Sequence, residues 1–112
     1  MGITKNKNDM TTTQITKLEM TVLNAIQQWT AKEFTSDNGN WAYVHEIADK
    51  VNASQLRALI TTLKSKGVLD WDSNEGGFDG AFVTIKDNFF TETGNYTQTG
   101  SPEIKFINLE IK

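Results

Sequence analysis

Cysteine is absent from the chain. That excludes disulfides and thiolate metal sites, and it fits a reducing compartment. There is one histidine, His45, so a site built from several imidazoles is excluded as well. Proline occurs once, at Pro102, where it breaks the last stretch of the chain. No apolar run approaches the roughly 20 residues that a membrane-spanning helix needs. The N-terminus lacks the apolar core of a signal peptide, so a cytoplasmic location is expected. From Ala53 to Val68 there is no acidic residue, while Arg57, Lys64 and Lys66 lie within it.

What remains is a chain of 112 residues with 38% hydrophobic content, enough for one domain with one modest core. The net charge of −3 argues against indiscriminate nucleic-acid binding. Its distribution is uneven. Asp70, Asp72, Glu75, Asp79, Asp87 and Glu92 face only Lys86 in the segment that follows the basic one.

That basic segment reads as the central helix, from Asn52 to Lys66. Asn52 caps it, with Gln55 three residues on as in a capping box. Leu56, Leu59, Ile60 and Leu63 form one apolar face, and Gly67 after Lys64 and Lys66 stops the helix. An earlier helix begins at the capping box Thr16-x-x-Glu19, with Thr13 as a second candidate cap and Ile15 as a staple before the helix. Leu18, Val22, Leu23, Ile26 and Trp29 are its core stripe, which Phe34 can extend. A turn-rich loop over residues 35–40 follows.

Trp41 to Val44 is a short strand by composition. His45 to Val51 is a short helix with Ile47, Ala48 and Val51 facing inward. Val68 to Asp72 and Ala81 to Lys86 are strands of a hairpin whose tip, residues 73–80, is rich in Asn, Gly and acid. Phe89 and Phe90 are adjacent, so in extended chain one of them points away from the core. After Pro102 the apolar residues change phase between Phe106 and Ile107. A single strand cannot keep both sets on one face, so a bulge or a strand buried on both sides is expected. The implied organisation is a tail (1–13), a folded unit (14–86) and a C-terminal extension, rich in strand, packing on the same domain (87–112).

The pattern is carried by Glu46-Ile47-Ala48, by Leu56, Leu59, Ile60 and Leu63, by Lys66-Gly67-Val68-Leu69 and by Phe82-Val83-Thr84-Ile85. Over about Thr16 to Lys86 it resembles the winged helix-turn-helix fold of many bacterial, archaeal and phage regulators, and is similar to the MarR-like group. The resemblance implies an α+β winged helix, with a three-helix core and a β-hairpin wing. It also implies a non-enzymatic, DNA-binding transcription regulator, in which the helix from Asn52 to Lys66 enters the major groove and the hairpin touches backbone or minor groove. A homodimer would add phosphate contacts that one small acidic module lacks.

On the central helix, Gln55 can read adenine, Arg57 guanine, and Thr61 or Thr62 a thymine methyl or a phosphate. Ala58 shares their face. Lys64, Lys66 and Lys50 can neutralise phosphates. The plainer account is a solvated polar face with cations placed well for the helix dipole. The hairpin offers an alternative function, a protein-interaction surface formed by Asp70, Asp72, Glu75, Phe78 and Asp79. Turn geometry also favours such residues without any partner.

Asp70-x-Asp72-x-Asn74 opens like a calcium loop but puts Glu75 where glycine is needed and Ala81 where a bidentate glutamate is needed. His45 beside Glu46 lacks any nucleophile or second base, and reads as a surface histidine. Gly76, Gly77 and Gly80 precede no helix, so they form no phosphate loop. No catalytic residue, metal or cofactor is expected.

Overall fold

Helix α1, Lys17–Glu33, starts where two side chains satisfy its first amides. The Glu19 amide donates to Thr16 Oγ1 at 3.0 Å, and the Thr16 amide donates to Glu19 Oε1 at 2.8 Å. The capping box expected from the sequence is therefore closed in both directions. Along α1 the buried positions include Glu19, Val22, Leu23, Ile26 and Thr30, a helical spacing. Leu18, which the sequence places in that stripe, is 51% exposed. The inward row passes through position 19, so a carboxylate takes the place expected of a leucine.

The computed structural model describes residues 12–33, 41–51, 53–74 and 81–112. Among them the chain is α+β, with three α-helices and strands in three small sheets. None of these helices is long and apolar enough to cross a membrane. Phe34 and the 35–40 loop lie outside the described residues.

Strand β2, Trp41–Tyr43, leads directly into α2, Val44–Ile47. The helix is shorter than the expected His45–Val51 and closes as a turn, with the Lys50 amide donating to the Ile47 carbonyl at 3.0 Å. Val44, Ile47 and Val51 are buried, and Ala48 packs against the same core. Helix α3, Ala53–Ser65, buries Leu56, Ile60 and Leu63 and half-buries Leu59. Asn52, its expected cap, lies outside the described residues.

Gly67 stops α3 with φ 82°. Its amide donates to Lys64 O and that of Val68 to Leu63 O, both at 3.0 Å, the two bonds of a Schellman motif. The chain then forms β3, Leu69–Asn74, and returns as β4, Ala81–Ile85. Ser73 and Asn74, expected in the loop, continue β3. β4 is central, flanked by β2 and β3, and both pairings are antiparallel. Alternation puts Ala42, Leu69, Ala81, Val83 and Ile85 on the core face. Trp41, Tyr43, Phe82, Thr84, Asp70 and Asp72 take the opposite face.

After β4 a single 3-10 turn, Asp87–Phe89, precedes β5, Phe90–Tyr96, which pairs with β6, Pro102–Phe106. The turn breaks strand alternation between the two phenylalanines. As a result Phe89 is buried and Phe90 also packs against the core, where extended chain would send one of them outward.

The phase change after Phe106 also has a different origin from the expected bulge or two-sided strand. The chain turns at Asn108, at φ 61°, and begins a separate strand, β7, Leu109–Ile111. Asparagine tolerates this left-handed conformation, and its Nδ2 donates to Asn88 O at 2.7 Å. The Ile107 amide donates to Phe89 O at 3.0 Å. β7 lies parallel to β1, Thr13–Ile15, so Thr13 belongs to a strand and not to a tail. The Thr13 amide donates to Asn108 O and the Lys112 amide to Ile15 O, both at 2.9 Å.

Candidate nucleic-acid interface

Helix α3 hides one side and leaves the other in solvent. At 3.6 residues per turn, Ser54, Ala58, Thr61 and Ser65 run down the middle of the outward face. Arg57 and Lys64 lie along one flank, and Gln55, Thr62 and Lys66 along the other. All of these are exposed, and so is Lys50 in the turn before α3. The candidate set is thus brought onto one helix face, with Lys50 contributed by the turn preceding it. Ser54 shares the face and is absent from the set read from the sequence. Its signal was its helical spacing, one turn before Arg57 and Ala58.

The flank with Thr62 and Lys66 is tied to α1. Thr62 Oγ1 lies 2.5 Å from Glu19 Oε2, and Lys66 Nζ lies 2.6 Å from Glu19 Oε1. Thr62 Oγ1 is also 3.0 Å from the Leu59 carbonyl. The Glu19 side chain is only 4% exposed, whereas Lys66 is 33% exposed. Burial pushes the Glu19 carboxyl up. Hydrogen bonds from Lys66, Thr62 and the Thr16 amide, with the lysine charge, pull it down further and leave it below its ordinary value. A buried carboxylate with this many donors is satisfied. Lys66 is thereby committed to an internal partner, and Thr62 has its hydroxyl turned to one. Arg57 and Lys64 lie exposed on the flank opposite the one tied to Glu19.

Thr61 is exposed, and its hydroxyl donates to the Arg57 carbonyl at 2.8 Å. The nearby hairpin is different in character. Asp70 and Asp72 are exposed on β3, and Lys86 Nζ stands 3.7 Å from Asp70 Oδ1. Glu75, Phe78 and Asp79 lie outside the described residues. His45 is exposed, stacked on Tyr43 with ring centroids 5.6 Å apart, and 3.3 Å from Glu46.

Comparison with family models, with curated proteins and with solved structures returns no match.

Proposed function

We propose that this chain is a winged helix protein that binds duplex DNA through α3, as a small regulator of transcription from a prokaryote or phage. The observation that carries the reading is the outward face of α3. It presents Arg57, Ala58, Thr61 and Lys64 together, with Gln55 at its edge, and no acid occurs from Ala53 to Val68. The element order from α1 to β4 supports the winged helix part. So does the sheet order β2-β4-β3, in which the strand before α2 pairs with the returning strand of the hairpin.

In this reading α3 lies in the major groove. Arg57 reads a guanine edge, Gln55 an adenine edge, and Thr61 or Ala58 a thymine methyl. Lys64 and Lys50 meet phosphates, and Thr62 supports the helix from its α1 side. The hairpin carries exposed Asp70 and Asp72, so it is assigned no phosphate contact. A homodimer doubles the phosphate contacts of each module.

The test is titration against mixed duplex DNA at about 50 mM and about 200 mM salt, the range over which phosphate contacts show themselves. Affinity that drops steeply between the two supports the reading. Absence of binding at the lower salt, repeated with a randomised duplex pool to capture a sequence-specific site, overturns it.

A further inference from the structure

The outer face of the β2-β4-β3 sheet carries an arrangement that DNA binding does not use. Trp41 and Tyr43 of β2 and Phe82 of β4 form a three-ring cluster. The ring centroids are 5.5 Å (Trp41 to Tyr43), 6.0 Å (Trp41 to Phe82) and 6.1 Å (Tyr43 to Phe82) apart. The planes stand at 87°, 66° and 78° to one another in the same order. With Thr84 these three residues line a cavity of about 510 Å³, a size typical of ligand sites.

The register then brings charge to the rings. Trp41 stands opposite Thr84, and Thr84 opposite Asp70. Tyr43 stands opposite Phe82, and Phe82 opposite Asp72. Directly opposed residues share a face of the sheet and lie one strand spacing apart. Asp70 and Asp72, both exposed, therefore lie on the same face as the rings, one strand over from Thr84 and Phe82. Among the described residues Asp72 makes no ion pair, and Asp70 has only the loose approach of Lys86.

The cluster is also held in place. Thr30 Oγ1 lies 2.9 Å from the Trp41 carbonyl and accepts from the Trp41 amide at 3.1 Å, so the start of β2 is pinned to α1. Trp29 stacks at a tilt against Trp41, with centroids 5.5 Å apart, and its indole N–H donates to Glu46 at 3.1 Å. The rings are not merely drifting on a surface.

Aromatic faces attract cations, and carboxylates beside them select positive charge and pair with it. Arginine suits both, because its planar guanidinium stacks on rings while its fork meets carboxylates. We propose that this face is a docking site for an arginine side chain on a basic segment of a protein partner. The guanidinium lies against the Trp41, Tyr43 and Phe82 rings and pairs with Asp72, with Asp70 adding to the field. The exposed carboxylates of Asp70 and Asp72 on this face favour such a positively charged segment.

The experiment uses the full chain labelled for amide and indole NMR, titrated with acetyl-Gly-Arg-Gly-Arg-Gly-amide. The matched probe carries citrulline in place of arginine, which keeps the shape and removes the charge. The expected result is saturable shifts in the Trp41 indole and in the amides of residues 41–43 and 82–84. The citrulline peptide binds at least about tenfold more weakly, as loss of the charge at a cation–π and carboxylate site requires. D70N/D72N, at two exposed positions, keeps the remaining spectrum and weakens the arginine peptide severalfold. R57A/K64A leaves peptide binding unchanged, so failure here and failure of DNA binding are separable.

Equal binding of both peptides overturns the proposal, as does absence of saturable shifts up to about 10 mM peptide, the weakest binding that this titration reads. Shifts of the same signals with duplex DNA overturn it in favour of nucleic acid. Shifts that follow protein concentration without peptide overturn it in favour of a second copy of the chain.

Discussion

The Lys66 ammonium sits 2.6 Å from the Glu19 carboxylate and so fastens the end of α3 to the first turn of α1. The same carboxylate accepts from the Thr16 amide and lies against Thr62. One buried side chain thus closes a helix cap and ties two residues at the end of α3 to it. Replacing Glu19 by Ala removes the cap partner and leaves the lysine without its anion. A loss of about 2–4 kcal/mol is expected, less than for a fully buried pair because Lys66 can turn to water. Urea unfolding of the variant measures it, and a loss below about 0.5 kcal/mol would show that the node contributes little.

Glu19 also sets a pH dependence. Its carboxyl is held below the ordinary value of 4.5 in the folded chain. The stabilisation is therefore present above that ordinary value and is lost as pH falls through it and on through the lowered folded value. Wild type should lose stability over this acid range more steeply than E19Q, which has no proton to take up at that position. Parallel stability curves for the two proteins would contradict the assignment.

R57A/K64A removes two exposed cations from the outward face of α3. If both meet phosphates, the slope of log affinity against log salt should flatten by about 1.8. The individual variants should divide that change, and R57A alone should also relax preference at one base pair. Retention of the full slope in the double variant would remove α3 from the interface.

Gly67 holds φ 82° with open space where a Cβ would stand. G67A should thus cost only the backbone term, about 1–2 kcal/mol, with no clash added. Chemical denaturation reads this directly. A change near zero would mean that the Schellman turn is not maintained in solution.

Two positions on α1 separate spacing from burial. Leu18 is 51% exposed and Ile26 is fully buried, although both are apolar and fall within one stripe when counted from the sequence. L18Q should change stability by no more than about 0.5 kcal/mol, whereas I26A should cost about 2–4 kcal/mol. Similar losses at both would place Leu18 in an interface.

Much of the local structure is legible in the sequence. The Thr16-x-x-Glu19 pattern, the stripe of α3 and the stop at Gly67 involve residues only three to five apart, and helical geometry brings such residues together without help from the rest of the chain. The hairpin was legible for the same reason, since alternation over Leu69 to Asp72 and Val83 to Ile85 states which side is buried. The outward residues of α3 followed once its apolar side was known.

Other features depend on partners far away in the chain. Lys66 looks the same in sequence whether it faces a phosphate or Glu19, and 47 residues separate that pair. Position 19 rather than 18 turns inward because α3 supplies a lysine and a threonine to receive a carboxylate there. Residues after Phe106 read as one irregular strand, but Asn108 turns the chain so that Leu109–Ile111 can pair with Thr13–Ile15. The aromatic cavity likewise forms only when β2 and β4 stand side by side. Helical and strand periods fix which residues share a side of one element. Which side meets which neighbour is decided by packing and by where buried charges find their counterparts.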